Sequence, residues 1–183
     1  MEEKKQYFTA KRIALTAVMS ALAFGVSLLE FPIFPATPYF KLDFSFAVIL
    51  LSAYMIGPLA GEIVAAISIA LHLFVSSSGG VGELSNFILA QVFVVFPSVV
   101  YYFRRKLSTV LITLSVAVVL TASLALATNR YLIFPLYFGE AAGEEFLKIW
   151  GFAFAFNLIK GVANSVITVL LYKRLKNLLH KFL

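Results

Sequence analysis

Apolar residues in this chain neither alternate with polar ones nor recur as the stripe of an amphipathic helix. They run on in long blocks separated by short polar or proline-rich segments, the pattern of helices surrounded by lipid. A helix needs about 20 mostly apolar residues to cross a bilayer. Blocks of that kind predict helices over roughly 12–30, 43–56, 58–76, 84–103, 107–127 and 151–173. The second is short, and the third begins directly after Gly57-Pro58, a break followed by a helix start. The first apolar run, Ile13 to Leu29, exceeds the about 7–15 residues of a signal-peptide core and reads as a retained helix. The expected fold class is an all-α membrane protein. It is a compact bundle of six transmembrane helices forming a single domain over 1–183.

Composition strengthens this reading. Of the 183 residues 61% are hydrophobic and only 13% charged, against about a quarter charged in a soluble domain. So few charges cannot coat a water-facing surface, which excludes soluble enzymes and disordered tails. The net charge of +6 would suit nucleic acid, but its distribution follows membrane topology. With the N-terminus in the cytoplasm, Lys4, Lys5, Lys11, Arg12, Arg104, Arg105, Lys106, Lys173, Arg174, Lys176 and Lys181 lie inside. Only Lys41, Arg130 and Lys148 lie outside. This excess of inner lysine and arginine predicts cytoplasmic termini and no nucleic-acid partner. Cysteine is absent, so disulfides and thiolate chemistry are excluded.

The predicted outer loops are long. The first, about 31–42, reads FPIFPATPYFKL; the third is SSSGGVGE; the fifth, about 128–150, is too long for a mere connector. Aromatic loops gathered on one face suit a lid or a binding site, and an interfacial aromatic belt is the plainer alternative.

Polar groups inside a bilayer are costly and mark function by default. Asn157, Lys160 and Asn164 share one face of the sixth helix through their spacing, and Lys160 lies roughly 14 Å deep at 1.5 Å per residue. Such a set suits a polar, uncharged or mildly acidic ligand, with an interhelical clamp as the alternative. Asn86 stands near the outer mouth on the fourth helix. Lys41 and Asp43 flank the second helix, where Asp43 either caps it or helps close over a ligand. Glu83 and Glu62 read as charges favoured by helix N-termini. His72 has no second histidine near it in the sequence and no evident partnering carboxylate, so no metal site is expected. A serine-histidine hydrolase using His72 and Ser76, Ser77 or Ser78 remains a rival reading. Small residues at Ala14, Ala17, Ala21 and Gly25 let another helix approach closely, within the bundle or from a partner. There is no phosphate-binding loop and no series of intramembrane carboxylates, so energy for uphill transport would come from another subunit.

Four segments carry a resemblance. PYFKLDFSFAVILLSAYMIGPLAGEIVA (38–65), GELSNF (82–87), NRYLIFPLY (129–137) and NLIKGVANS (157–165) resemble the riboflavin-specific branch of the S components of energy-coupling factor (ECF) vitamin transporters. One departure is visible: that branch commonly reads K-x-D-F-S-D, where this chain has Phe46 in place of the second acid. The resemblance implies a high-affinity vitamin-binding subunit of a prokaryotic cell membrane, without enzymatic activity. It would load from outside and deliver through a T component and two cytoplasmic ATPases. Carried over by position, Asn129, Asn157, Lys160 and Asn164 would contact the flavin and its ribityl chain, with Asn86, Lys41 and Asp43 in support. Phe40 and Tyr131, with Tyr39, Phe134 and Tyr137, would supply walls and a lid, and Trp150 would stand beside the pocket. Ala17 and Ala21 would meet the T component. No resident cofactor is implied: riboflavin is the transported ligand, with flavin mononucleotide a further candidate. Thiamine and pantothenate remain alternative substrates within the family, and a purely structural subunit is a third alternative.

Overall fold

The computed structural model describes the backbone over residues 9–182 and side chains over 9–174. Lys4, Lys5, Lys176 and Lys181, counted above among the inner charges, lie outside the described side chains. The described chain is all-α apart from one short ladder. It runs α1 (Ala10–Ser27), β1 (Phe31–Pro32), β2 (Lys41–Leu42), α2 (Ser45–Ile56), α3 (Pro58–His72), α4 (Val81–Ala90) and α5 (Phe96–Phe103). It then continues through α6 (Leu107–Thr128), α7 (Phe134–Phe138) and α8 (Ala142–Phe182). Ala10–Ser27, Val81–Phe103 and the stretch Leu107–Arg174 are long and apolar enough to cross a membrane. That last stretch reverses at Gly139, whose φ of 54° lies where only glycine is comfortable. α8 therefore packs along α6, and α1 along α3.

α2 lies at the centre. All of its 12 residues are buried, so it is apolar on every side, as an enclosed helix must be. Its neighbours include α1, α3 and α8. Because lipid tails are as apolar as leucine, close van der Waals fit rather than water exclusion holds such helices together. Gly61 of α3 illustrates the fit: a Cβ there would collide with the Ala53 Cβ of α2.

The N-terminus of α2 lacks a side-chain cap from its own N-cap residue, Phe44. α8 supplies the missing partner. The Ala47 N–H donates to Asn164 Oδ1 at 2.9 Å, and Asn164 Nδ2 donates to the Asp43 carbonyl at 3.0 Å. The Ser45 N–H donates to Asp43 Oδ1 at 2.9 Å, and the Ser45 hydroxyl donates to the same oxygen. Asp43 Oδ2 in turn takes the Lys160 ammonium at 2.7 Å. Asn164, Lys160 and Asp43 thus pin the start of α2 to the middle of α8.

Several boundaries differ from the sequence expectation. α1 stops at Ser27 and α3 at His72, short of the apolar runs that contain them. The fifth loop is largely helical. A π turn over Asn129–Ile133 continues α6 into α7, a second π turn over Gln91–Val95 joins α4 to α5, and α8 begins at Ala142 rather than 151. Hydropathy measures how far lipid extends, not how far a helix extends. Glu144 and Glu145 in the first turn of α8 favour a helix start beyond the apolar run. The first loop folds back as a hairpin, with Phe31 opposite Leu42 and Pro32 opposite Lys41.

Removing one partner of a buried ion pair strands the other. Lys160→Ala is expected to lower stability in detergent by about 3–5 kcal/mol, seen as a lower unfolding midpoint. Adding Asp43→Asn to Lys160→Met should recover most of the loss; a double variant as unstable as Lys160→Ala would refute this account.

Candidate functional site

One cavity of about 150 Å³ opens at the end of the helices that carries the first and fifth loops. The hairpin gives it Tyr39, Phe40 and Lys41; α3 gives His72; α4 gives Glu83, Asn86 and Leu89. From the other side come Asn129, Ile133, Phe134 and Tyr137, and α8 closes it with Phe156, Asn157 and Lys160.

The aromatic walls are pre-arranged. Phe40 stacks on Phe156 with centroids 5.1 Å apart and planes 15° from parallel, and Tyr39 packs edge-on against Phe40 at 4.9 Å. Burial, and after it the Glu145 carboxylate, holds the Tyr39 phenol above its ordinary pKa, so it stays neutral at physiological pH.

The polar edge is built by helix geometry. Asn157 Nδ2 donates to the Ala153 carbonyl at 2.8 Å, and Asn129 Nδ2 donates to that of Ala125 at 2.7 Å. Each bond to the carbonyl four residues back holds its side chain against the helix. Among the described residues neither amide oxygen accepts a hydrogen bond, so both remain acceptors for a ligand. Asn129 is also the first residue of the π turn that carries α6 towards Pro135. Proline lacks an N–H and crowds the carbonyl four residues before it, and the wider turn relieves both problems. Lys160 sits 3.1 Å from Asn86 Oδ1 as well as on Asp43, with its ammonium 4.9 Å from the centre of the Phe46 ring. An ammonium has three hydrogens, which leaves one for the cavity.

The cavity therefore brings together Asn86, Asn129, Asn157, Lys160, Lys41 and Phe40 of the expected set. Three others lie elsewhere. Asn164 is fully buried and its amide is spent on α2 and on the Lys160 carbonyl, which makes it the clamp alternative. Asp43 is buried behind Lys160 and does not line this cavity. Tyr131 is 80% exposed and lies with Arg130, Phe146 and Trp150 in a shallow trough on the outside of the protein. Trp150 is likewise away from the pocket. Ala17 and Ala21 are exposed on α1, and Ala17 borders a groove with Ile56, Ala60, Ile63 and Ile67.

Sequence reasoning missed Glu30 and the partners of His72. His72 Nδ1 lies 2.8 Å from Glu83 Oε1, and Nε2 lies 3.8 Å from Glu30 Oε2. Glu30 also takes Lys41 at 2.6 Å. An acid ending an apolar run was the only signal for Glu30, and the chain separates it widely from His72. The Ser78 hydroxyl donates to Glu83 rather than to His72, so no serine-histidine nucleophile is assembled there. Among the described residues no group of acids and histidines is placed to hold a metal ion. A second cavity of about 20 Å³, between the His72 cluster and the Lys160–Asp43 pair, has room for a water molecule.

Comparison with known proteins agrees with this architecture. Residues 11–172 match the family model of the ECF transporter, substrate-specific component. The chain is 31% identical to the riboflavin transporter RibU of Staphylococcus aureus (strain TCH60), over 93% of each chain. It is 30% identical to the riboflavin transporter FmnP of Bacillus subtilis (strain 168), over 91% of this chain and 92% of that one. A solved structure of the S component of a bacterial ECF transporter superposes with a TM-score of 0.81 at 31% identity, covering 92% of this chain and 97% of that one. The chain belongs to the substrate-specific components of the ECF transporters, a family of non-enzymatic, multi-pass membrane proteins.

Proposed function

We propose that this chain captures riboflavin from outside the cell in the cavity described above, as the substrate-binding subunit of an ATP-driven importer. The observation that carries this reading is the division of the cavity. Phe40, Phe134, Phe156 and Tyr137 offer flat apolar walls, while Asn86, Asn129, Asn157 and Lys160 gather polar groups at one edge. Riboflavin has the same division, a planar ring system with carbonyls at its rim and a hydroxylated ribityl chain. Both cavity lysines are already matched, Lys160 by Asp43 and Lys41 by Glu30, so the site suits a ligand without net charge. The names of the relatives point the same way.

In this reading the chain is one six-span domain with both termini in the cytoplasm, supported by the excess of inner lysine and arginine. The cavity then opens outward. The chain has no phosphate-binding loop of its own, so a T component and two cytoplasmic ATPases supply the energy. The T component docks on the alanine face of α1, where Ala17 and Ala21 leave room for a close helix approach.

A riboflavin titration of the purified chain, followed by flavin fluorescence and by equilibrium dialysis, should saturate at one flavin per chain, with thiamine and pantothenate failing to compete. Saturable binding of either competitor instead would reassign the substrate. Asn157→Ala should weaken riboflavin binding by about 1–3 kcal/mol, and parental affinity in the folded variant would remove Asn157 from the site. Ala17→Trp should abolish riboflavin uptake by cells while leaving binding in detergent unchanged; normal uptake would move the T component to another face.

A further inference from the structure

The polar chemistry described above gathers at one end of the bundle. Towards the other end, α6 and α8 leave a groove between them. The chain reverses between these two helices, and they touch closely at Gly161, where a Cβ would stand 3.1 Å from Val118 Cγ2. From that contact towards the start of α6 and the far end of α8 runs a groove of about 430 Å³. Leu111, Leu114 and Val118 line it from α6, and Val162, Val166 and Leu170 from α8. Val162, Val166 and Leu170 are each more than half exposed, so no described part of the chain covers them. Apolar walls without neighbours forgo dispersion contacts, and a hydrocarbon chain is the filling that such walls fit.

The groove runs into positive charge. Arg104, Arg105 and Lys106 make up the whole connection between α5 and α6, and all three are exposed. Leu111 follows Lys106 by about 7 Å along the helix axis, at 1.5 Å per residue. On α8, Val162, Val166, Leu170 and Arg174 recur every fourth residue, as do Ser165, Val169 and Lys173. Residues so spaced share a helix face, so both rows that wall the groove on α8 end in an exposed cation. The two basic segments belong to one patch. Tyr101, just before the first, and Tyr172, beside the second, pack edge to face at 5.7 Å with their hydroxyls 3.3 Å apart. Among the described residues none of these five cations has an ion-pair partner, and the first turn of α6 has no acid.

We infer that the groove and the basic patch together bind one anionic phospholipid, with an acyl chain laid between α6 and α8 and the phosphate among the cations. Neither half suffices alone: the groove holds any hydrocarbon, and the patch selects the negative headgroup. A second copy of this chain fits less well. Two copies in one membrane point the same way, so pairing through this face would set one basic patch against another. The site is also separate from the alanine face of α1, since α1 packs on α2 and α3 while the groove belongs to α6 and α8. Its occupation therefore does not depend on the riboflavin reading or on a docked partner.

The test titrates the full-length chain, delipidated in detergent, with dioleoyl-phosphatidylglycerol and counts bound lipid by native mass spectrometry. One lipid per chain should bind, and dioleoyl-phosphatidylcholine, with the same chains and no net charge, should bind about tenfold or more weakly. Glycerol phosphate, the headgroup without chains, should not bind. Val166→Trp fills the groove and should abolish the lipid adduct. Arg104→Gln combined with Arg174→Gln keeps the groove and should weaken phosphatidylglycerol binding by about tenfold or more. Monodisperse elution and a parental unfolding midpoint without lipid identify the variants that fold; the double variant changes only exposed side chains and decides the matter where Val166→Trp folds poorly. Equal binding of the two lipids overturns the inference. So does undiminished phosphatidylglycerol binding in either folded variant, binding of glycerol phosphate alone, or a dimer in place of the lipid adduct.

Discussion

A lysine ammonium and an aspartate carboxylate 2.7 Å apart, both buried, set the terms for the rest of this molecule. Either charge alone would cost several kcal/mol to take out of water, and the pair offsets that cost only with good geometry and further hydrogen bonds. The chain provides both. Asp43 is fed by the Ser45 N–H and hydroxyl, and Lys160 is shared with Asn86 and faced by the Phe46 ring. Because Asp43 immediately precedes α2 and Lys160 lies midway along α8, satisfying these two charges also fixes where the central helix begins. The cavity floor follows from that placement.

The same interaction decides what the cavity offers a ligand. A lone lysine would make it an anion trap. With Asp43 behind it, Lys160 presents one directed hydrogen and little net charge. Asn129 and Asn157 present acceptors whose orientation is set by bonds to their own helices. Recognition by such groups is directional rather than electrostatic at long range, which suits a neutral molecule with a patterned rim.

Much of this was legible in the sequence. Long apolar runs mark the helices, and the spacing of Asn157, Lys160 and Asn164 places them on one face. What the spacing could not separate was role. Asn157 and Lys160 line the cavity, while Asn164, one turn further, meets the backbone of α2 and becomes its cap. The difference depends on how far along α8 the start of α2 crosses it, a tertiary quantity absent from either segment. Asn86 was found because a polar residue in an apolar run is conspicuous. Glu30 was missed because it stands at the edge of such a run, where a charge is unremarkable. Its partners, Lys41 and His72, come from other segments. The extent of α8 escaped for a different reason: its first turns project beyond the apolar run, where hydropathy carries no information about helicity.

The two π turns have a consequence for the geometry of whole helices. An α-helix advances about 100° of rotation per residue, and a π turn accommodates one residue more than the same length of α-helix. Gln91–Val95 and Asn129–Ile133 therefore act as built-in insertions that re-phase everything after them. Tyr101, buried against Tyr54 and Tyr172, faces inward only because α5 is rotated relative to α4. Phe134 reaches the cavity wall by the same offset. Deleting a single residue from either turn would leave composition and hydropathy almost untouched, yet it would swing the following helix by more than a quarter of a circle. In this fold the identity of an inward face is a matter of counting as much as of chemistry.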